Sequence, residues 1–467
     1  MTDWQNECRG RNLKSEGLHV KVQQNMDALD VPRAARVTRT QCPLKIGFVY
    51  GRPPIPMTRA DQMTVAHLIE FLAARGHEID LYTLAGEEPL TDGARKWLSD
   101  RCRLVSITLK SKARSILDGA LAAMRARPMQ VGYFWSRQQA QALAEGMRHR
   151  DYDLVYVYYI RSALVFQKAL ELVGGTPFKG ASFLGMQLSQ ALNTRRMVER
   201  MRRATDRAIY SVESRHLRHF EAQVWKLFHR VILIGEKDLD ELRQVCREIG
   251  QEEPDNVFLC AHGVDIEEFK PDWGGHEDGK TLVFAGVMRT NTNIHAITWF
   301  ALEAWPLIRE EEPAAQLYIV GRQPSADVRM LGDLPGITVT GEVTSTADYI
   351  RNASVCINPM QVGAGMQNKL LEYLAMGKAT VATTLANEGI GARPERDLLI
   401  ADTPERFAQR VLKLLKDRAS RAELGRNARE FVERQWSWEA QFLLLEAEFH
   451  RAVDELRDDD RQWEQTV

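Results

Sequence analysis

Short β-type runs alternate with amphipathic helical segments along most of the 467 residues, and this alternation constrains the fold most strongly. Lys45–Tyr50 (KIGFVY) is rich in strand-forming residues, a helical period follows from about Gln62 to Arg75, and Glu78–Leu84 is the next strand-like run. Gly76 stands where the C-cap of that helix is expected. A strand, a helix and a strand with short connections form a right-handed βαβ unit. The sequence therefore predicts an α/β protein with parallel sheets.

The remaining predicted elements continue the alternation. Strands are expected at Leu104–Leu109, Asp153–Tyr159, Arg230–Ile234, Val257–Ala261, Thr281–Val287, Gln316–Val320, Ile337–Val339, Val355–Asn358 and Thr380–Thr383. Helices are expected at 111–126, 137–149, 162–172, 189–229, 236–248, 293–310, 346–352, 367–376, 404–417 and 420–460.

A polar, glycine-rich stretch, Lys270–Lys280 (KPDWGGHEDGK), interrupts the alternation, and a second set of βα units follows it. The chain also exceeds the usual size of one hydrophobic core. We therefore expect two Rossmann-like domains with the ligand between them, at the carboxyl ends of the strands. The predicted parts are a mobile tail over 1–43, a first domain over 44–270, a second over 271–440 and, over 441–467, a helix that packs back across the domains.

Composition narrows the class of protein further. A formal net charge of −1 gives no hint of a nucleic-acid partner. The best candidate for a membrane span, Leu154–Phe166, is short and contains Arg161, whereas a span needs about 18 apolar residues. The N-terminus lacks the pattern of a secretory signal, and the six cysteines form no CxxC pair or Cys/His cluster. These features predict a cytoplasmic protein with reduced thiols and no zinc site.

The segment Pro359–Gly377 (PMQVGAGMQNKLLEYLAMG) carries the chemistry. A strand runs into a loop with two glycines, and a helix opens near 366–368. Glycines allow the backbone close to a ligand, and the free N–H groups of a helix start attract anions. Lys369 in the first helical turn is unfavourable for the helix dipole, so an anionic ligand explains it better. We expect a diphosphate seat here, with Glu372 placed to accept hydrogen bonds from a ribose diol. The alternative is a simple turn beside a surface charge.

This segment resembles the donor-binding signature of GT-B glycosyltransferases in the large retaining family, family 4, that also includes sucrose synthases. More closely, it resembles sugar transferases of bacterial exopolysaccharide clusters, where GxGxxNKxLExxAMGKxxVAT is usual; Gly363–Thr383 read GAGMQNKLLEYLAMGKATVAT. RPPIPMTRADQ (52–62), CAHGVDIEEFKP (260–271) and LVFAGVMRTNTNIHAITWF (282–300) agree in order and spacing. The resemblance covers 44–450 and implies a GT-B fold, in which two Rossmann-like domains face each other across a cleft.

The sequence departs from the broader family at three positions. Ala364 stands where the family has a Glu that contacts the transferred sugar, and Lys369 stands where many members have Pro. His262 replaces the usual Asn of the linker motif. The bacterial subgroup shares the first two features, so they do not indicate inactivation, but no carboxylate is available at 364 to aid sugar recognition.

The resemblance implies transfer of a sugar from a nucleoside-diphosphate sugar to a glycan or lipid-linked acceptor, with retention, in bacterial polysaccharide or glycoconjugate synthesis. Because negative charge grows on the leaving phosphate, the site needs fixed positive charge and N–H donors. The predicted catalytic residues are Lys369, Glu372 and Arg289. The predicted donor-binding residues are Gly51, Asn293, Gly321, Arg322, Glu342, Val343, Gly363, Ala364, Gly365, Met366, Gln367 and Asn368. Arg52 and Arg59 are predicted on the acceptor side.

Several of these residues have simpler interpretations. The arginines could be solvated surface residues, Asn293 could be only a helix N-cap, and Arg322 with 342–343 could be ordinary turn residues. His262 is more typical of a structural linker than of a base. No DxD-like pair lies in a strand-end loop, so neither a metal nor another cofactor is predicted.

Residues 195–218 hold eight arginines against Glu199, Asp206 and Glu213. This segment is either a solvated helical face or a basic surface that meets anionic lipid headgroups or a lipid-diphosphate acceptor. The second interpretation would place a cytoplasmic enzyme at the inner membrane face.

Three other classes of protein remain as alternatives. A sugar-nucleotide epimerase of GT-B shape would need acidic residues beside the sugar, which Ala364 does not supply. An NAD-dependent oxidoreductase would need a GxGxxG turn, which follows neither Lys45–Tyr50 nor Thr281–Val287. A non-catalytic partner of an assembly complex would have no need for Lys369 and Glu372.

Overall fold

A computed structural model of the chain describes residues 42–86, 90–174, 178–200, 203–274, 277–362 and 366–466. Residues 43–467 pack as one compact unit. Residues 1–41 of the predicted tail lie outside the described part of the chain. No described helix combines the length and the apolarity that a membrane span requires.

The first sheet contains, in its described part, the strands β1 (Lys45–Tyr50), β2 (Glu78–Ala85), β3 (Leu104–Leu109), β4 (Leu154–Tyr158), β5 (Ala181–Gln187), β6 (Arg230–Leu233) and β7 (Val257–Leu259). All are parallel, in the order β3-β2-β1-β4-β5-β6-β7. Phe48 lies opposite Leu81 on one side and Tyr156 on the other. The central strands are buried because helices cover both faces of a parallel sheet, which explains their continuous apolar sequences.

The second sheet contains, among the described residues, β8 (Thr281–Ala285), β9 (Gln316–Val320), β10 (Ile337–Gly341), β11 (Val355–Asn358), β12 (Thr380–Ala382) and β13 (Leu399–Ile400). Its parallel order is β10-β9-β8-β11-β12-β13. The strand order therefore reverses between β1 and β4 in the first sheet and between β8 and β11 in the second. Ligands of open α/β sheets bind outside the carboxyl ends of the strands at such reversals.

The helices connect successive strands, and many begin at a Ser, Thr or Asp whose side chain accepts a backbone N–H, such as Ser136, Ser345 and Thr403. Those around the first sheet are α1 (Ala60–Ala74), α2 (Asp92–Ser99), α3 (Lys112–Met124), α4 (Met129–Tyr133), α5 (Arg137–His149), α6 (Ala163–Val173), α7 (Gln190–Arg200), α8 (Ala204–Val224) and α9 (Glu236–Glu248). Those that follow are α10 (Asn291–Trp299), α11 (Trp305–Glu311), α12 (Ala326–Met330), α13 (Thr346–Asn352), α14 (Asn368–Ala375), α15 (Thr384–Asn387), α16 (Pro404–Lys416), α17 (Arg418–Gln435) and α18 (Trp438–Thr466).

The buried side chains form separate cores on the two sheets. We call residues 43–260 together with α18 the first lobe, and residues 264–435 the second lobe. Helix α18 belongs to the first lobe because Phe442, Leu445 and Phe449 pack into its core. The Phe449 ring lies edge-on to Tyr156 and Phe183, with centroids 5.3 and 4.8 Å apart. The predicted domain limits at 270/271 and 440/441 stay a prediction.

Two chain segments cross between the lobes side by side. Val264 N donates to Trp436 O at 2.7 Å, and Val264 forms a parallel bridge with Ser437. Gly263 is needed at this crossing, because an added Cβ would lie 2.4 Å from Trp438 N. Membership of the core changes here in both segments, from the first lobe at Cys260 to the second at Val264, and from the second lobe at Trp436 back to the first at Phe442.

The structure corrects the predicted elements in several places. No strand is predicted at Ala181–Gln187 (ASFLGMQ), yet this segment is β5. The predicted helix 420–460 is broken at the crossing, which gives α17 and α18. The predicted helix 293–310 contains a π segment at Phe300–Ala304, beside Pro306, which has no N–H to donate. The pattern also misses short elements: α2, α4, α12, α15 and β13.

Candidate functional site

The carboxyl end of the second sheet is built from two backbones in contact. Gly286 follows β8 with φ +155°, Gly321 follows β9 with φ +147°, and a Cβ added to Gly321 would lie 1.7 Å from Gly286 O. Gly286 N donates to Val320 O at 3.0 Å. No side chain fits at this corner, so a ligand can approach the main chain. Gly321 is a predicted site residue, whereas Gly286 is not, although a glycine directly after a strand is the same signal.

Lys369 reaches this corner from the first turn of α14. Its Nζ donates to Asn293 Oδ1, lies 3.7 Å from Met360 Sδ and lies 4.7 Å from the centroid of the Phe284 ring. Burial lowers the pKa of Lys369 to about 8, and the nearby charge of Glu372 only partly offsets this. No described carboxylate forms an ion pair with it. A cation among neutral groups is costly, and an anionic ligand would remove that cost.

Asn293 holds the Lys369 ammonium group in place. Helix α10 begins at Asn291 with Thr290 as its N-cap, so the interpretation of Asn293 as an N-cap is wrong. Its Nδ2 donates to Val287 O at 3.0 Å while its Oδ1 accepts from Lys369. The amide thereby ties the loop after β8 to the first turn of α14.

Glu372 lies one turn further along α14. Burial raises its pKa, as does the charge of Glu268, while Lys369 lowers it. No described group donates a hydrogen bond to its carboxylate. The helix beneath it is fixed, because the Tyr373 hydroxyl accepts from Ala285 N at 2.7 Å and Leu370, Leu371 and Leu374 pack into the core. Glu372 therefore presents an acceptor on a rigid support.

The other predicted donor residues take different places. Gly363, Ala364 and Gly365 lie outside the described residues. Asn368, Arg289, Arg322 and Glu342 are exposed, and Met366 and Gln367 are half-buried. Neither the Arg289 nor the Arg322 side chain bonds to a described residue, although Arg322 O accepts from Met288 N at 3.1 Å. Val343 packs against a small core that includes Val320 and Ile350. The structure therefore joins Lys369 to Asn293 and the two glycines, and leaves the arginines free to meet a ligand.

The carboxyl end of the first sheet holds the predicted acceptor-side arginines. Gly51 follows β1, and an added Cβ would lie 3.0 Å from Phe134 Cδ1. The Arg52 guanidinium lies over the Phe134 ring at 5.2 Å, and its Nε is 3.5 Å from Asp61 Oδ2. Arg59 is exposed, with its Nε 3.4 Å from Asp61 Oδ1. Both arginines thus share one carboxylate.

Arg161 joins this group, although it is not a predicted site residue. Its guanidinium lies over the rings of Phe134 and Tyr159 at 5.5 and 4.8 Å, and its Nε donates to Gln130 Oε1 at 2.9 Å. The sequence signal that could have identified Arg161 is its position, because a charged residue inside an apolar run is unusual.

The carboxyl ends of the two sheets lie on the same side of the molecule. Lys237, at the start of α9 after β6, has its Nζ 3.8 Å from Glu388 Oε2, which lies just beyond α15 after β12. Such an exposed pair contributes little energy, but it shows where the two edges meet. His262 lies at the crossing, where burial lowers its pKa to about 4, so it is neutral at physiological pH.

A second group of titratable side chains, His77, Glu446 and His450, lies where α18 packs on the first lobe, with ligand-type atoms within 4.8 Å of one another. His77 Nδ1 accepts from Leu44 N at 3.0 Å, so Nε2 carries the proton and donates to Glu446 Oε1 at 2.8 Å. Arg75 Nε also contacts Glu446 Oε1, at 2.6 Å. Because its carboxylate and one imidazole are already paired, we interpret this group as a structural contact that holds α18 on the first lobe.

Comparisons with known proteins identify the class. Residues 279–417 match the family model for glycosyl transferases group 1. The chain is similar to an uncharacterized 44.6 kDa protein in the cps region of Klebsiella pneumoniae, at 21% identity over 83% of this chain and 95% of the relative. Its fold matches sucrose-phosphate synthase from Thermosynechococcus elongatus (TM-score 0.52, 18% identity, 88% of this chain, 100% of that one). It also matches Anabaena HepE in complex with UDP (TM-score 0.51, 10% identity, 87% and 100%).

The chain is therefore a glycosyltransferase with the GT-B fold. The segment that matches the model for glycosyl transferases group 1 begins just before β8 and ends just after α16, so it contains the Gly286–Gly321 corner and Lys369.

Proposed function

We propose that this glycosyltransferase binds a nucleoside-diphosphate sugar at the carboxyl end of the second sheet. The sugar passes, with retention, to a glycan or lipid-linked acceptor on the first lobe. The observation that carries this proposal is Lys369, a half-buried cation without a carboxylate partner among the described residues, at a corner where two glycines expose the backbone. A diphosphate supplies the missing negative charge.

The chemistry follows from where charge develops. As the bond between sugar and phosphate oxygen breaks, negative charge grows on the leaving diphosphate, and Lys369 with Arg289 stabilises it. Asn293 keeps the ammonium group oriented, so little reorganisation is needed. Glu372 accepts hydrogen bonds from the ribose diol, and the backbone at 363–368 cradles the phosphates. Arg322, Glu342 and Val343 face the base, and Gly51 lets the first lobe approach the donor. The proposed reaction needs no metal and no cofactor, because the sugar nucleotide is itself a substrate.

Two relatives support the choice of substrates. The matched HepE structure holds UDP, which makes UDP the first nucleotide to test. The Klebsiella relative is named for its place in the cps region, which supports a role in bacterial polysaccharide or glycoconjugate synthesis.

A thermal-shift screen with UDP, GDP, ADP, TDP and CMP tests the donor site. One nucleotide should raise the melting temperature, because a ligand at a hundredfold excess over its dissociation constant stabilises the folded state by about 2.7 kcal/mol. The shift should disappear in Glu372→Ala and persist in Glu303→Ala, an exposed glutamate on the π segment of the same lobe. If none of the nucleotides shifts the protein, the donor proposal is wrong and a non-catalytic partner is favoured. If the nucleotide binds and the product is an epimerised sugar nucleotide, the epimerase alternative holds.

We further propose that the enzyme is cytoplasmic and meets the inner membrane face through residues 195–218. Arg195 and Arg218 pair with Glu241 and Glu248, which reduces the positive charge available on this segment, while Glu213 is buried and accepts from the backbone of α4. The adjacent surface supplies apolar contacts instead: Ile209 and Val212 on α8 and Leu117 and Met124 on α3 are exposed. Exposed arginines lie on or beside the same two helices, at Arg114, Arg125, Arg127, Arg203 and Arg215, and Arg114 also pairs with Asp118. This combination fits an anionic lipid surface.

Co-sedimentation with vesicles containing phosphatidylglycerol tests this surface. Met124→Asp should reduce binding several-fold, whereas Met330→Asp, at a similarly exposed methionine of the second lobe, should not. Equal binding by all three proteins would leave 195–218 as a solvated face.

A further inference from the structure

The carboxyl ends of β1 and β4 enclose a small pocket with an excess of positive charge. Arg52 and Arg161 line it, Arg59 lies at its entrance, and Asp61 is the carboxylate that the described lining supplies. Three guanidinium groups against one carboxylate leave a net charge of about +2 when all are ionised. Since like charges repel, such a group is stable when an anion joins it.

A buried hydroxyl group with no partner faces the same pocket. Ser162 is 1% exposed, and its hydroxyl has no hydrogen-bond partner among the described residues. Tyr50 is 2% exposed, and its hydroxyl interacts with Asp61. A Cβ added to Gly51 would lie 3.4 Å from Ser162 Oγ, so the lack of a side chain at Gly51 leaves this hydroxyl uncovered. Buried polar groups are nearly always hydrogen-bonded, so an unpaired hydroxyl beside arginines indicates a missing ligand that accepts hydrogen bonds.

The arginine heads are held in fixed positions. Arg52 and Arg161 both lie over the ring of Phe134. That ring is held from behind, because Lys110 Nζ donates to Tyr133 O at 2.9 Å and to Trp135 O at 2.5 Å. Tyr159, under Arg161, has φ +72°, a conformation that costs energy for a residue with a side chain and that clusters at functional sites. The pocket is therefore organised before a ligand arrives.

We infer that this pocket binds a phosphate group of the acceptor. The inference rests on the proposed function and narrows its acceptor to phosphorylated molecules. A phosphate dianion matches the surplus of two positive charges, and its tetrahedral oxygens can accept from two guanidinium groups and the Ser162 hydroxyl at once. Arg52 and Arg161 bind the oxygens, Ser162 donates a hydrogen bond, and Phe134 fixes both arginines. The phosphate belongs to a lipid diphosphate or to a sugar phosphate, which share this chemistry.

Calorimetric titration of the full chain with inorganic pyrophosphate tests the pocket. The titration is made with the donor site saturated by the nucleotide found in the thermal-shift screen, or without nucleotide if none binds. We expect one site, weakened about tenfold or more in Arg161→Gln and in Arg52→Gln, with nucleotide affinity unchanged. Arg101→Gln is the matched control, because Arg101 also stacks on an aromatic ring (Trp97, 4.4 Å) and pairs with a carboxylate (Glu70). That variant should bind pyrophosphate like the wild type.

The outcomes separate this inference from the donor proposal. Absence of pyrophosphate binding to the nucleotide-saturated protein would overturn the inference. It would also be overturned if Arg161→Gln lost nucleotide affinity as much as pyrophosphate affinity, because the arginines would then bind the donor. If the protein binds no nucleotide but binds pyrophosphate in a way that depends on Arg161, the inference about this pocket holds and the donor proposal fails. Farnesyl diphosphate and glucose 1-phosphate then compete with pyrophosphate in separate titrations, and the stronger competitor identifies the source of the phosphate.

Discussion

The carboxyl ends of the two sheets both collect positive charge, but they do so by different means. At the second sheet, two glycine backbones touch and one lysine is surrounded by an amide, a thioether and a ring. At the first sheet, side chains form the surface, with two arginines stacked over Phe134 and a carboxylate between Arg52 and Arg59. A surface made of backbone suits a ligand group that stays constant, such as a diphosphate. A side-chain surface can change with the acceptor while the fold stays the same.

The largest expected effect comes from removing the charge of Lys369. In Lys369→Met, turnover should fall about 10²–10³-fold, as when one donor to a developing negative charge is lost. The melting temperature should stay equal or rise, because the variant no longer buries a cation without a carboxylate partner. Steady-state kinetics and calorimetry measure the two quantities.

Lys378→Met sharpens this test. Lys378 is also buried in the second lobe, but its Nζ bonds Glu277 Oε1 at 2.8 Å and Ala353 O at 2.9 Å. This variant should lose more than about 1 kcal/mol of stability and keep its nucleotide affinity. If Lys369→Met and Lys378→Met lose similar stability, Lys369 has a structural role, and the contrast drawn between the carboxyl ends of the two sheets is wrong.

The next effect distinguishes a backbone surface from a side-chain surface. Gly321→Ala should lower the free energy of unfolding by about 3 kcal/mol or more, because its Cβ would overlap Gly286 O and its φ is positive. Gly51→Ala should cost about 1 kcal/mol, because its Cβ would lie 3.0 Å from Phe134 Cδ1, a contact that an adjustment of a few tenths of an ångström relieves. Urea denaturation measures both variants. Equal costs would show that the two edges are built alike.

A dependence on pH tests the same lysine in a different way. Because burial lowers the pKa of Lys369 from 10.5 to about 8, the unfolded chain holds a proton that the folded chain loses between these values. The free energy of unfolding of the wild type should therefore rise from pH 8 to 10.5 relative to Lys369→Met. Nucleotide affinity should fall above pH 8, by up to about tenfold per pH unit, because the charged form binds the diphosphate. Parallel pH profiles for the wild type and Lys369→Met would contradict the assignment of a lowered pKa to Lys369.

Much of the fold was predictable from residue patterns, and the failures have physical causes. Strands such as Lys45–Tyr50 carry β-branched and aromatic residues, and the pattern places them correctly. β5 (ASFLGMQ) is buried by its neighbours β4 and β6, so tertiary position overrides a weak local preference. The break at Trp436–Ser437 exists because the chain must leave one lobe for the other. Its local signal is Ser437, whose Oγ accepts from Ala440 N at 3.1 Å at the start of α18, but the apolar pattern continues on both sides of it.

The two edges also differ in how far sequence could predict them. At the second edge, the segment Pro359–Gly377 names Lys369 and Glu372, and Asn293 and Gly321 are predicted from two other segments, whereas Gly286 was overlooked. The first edge is assembled from β1, α4 and the end of β4, so its members are far apart in the chain. Arg161 draws attention as a charge in an apolar run, but its stacking on Phe134 depends on the folded arrangement.

The return of α18 to the first lobe has a consequence for synthesis. Chains fold as they leave the ribosome, and domains usually mature from the N-terminus onward. Here the whole of 264–435 is made before Phe442, Leu445 and Phe449, which the core of the first lobe requires. The lobe that is translated first is therefore completed last. Until then its nascent sheet exposes an apolar surface, and this interval is when the growing chain most needs a chaperone.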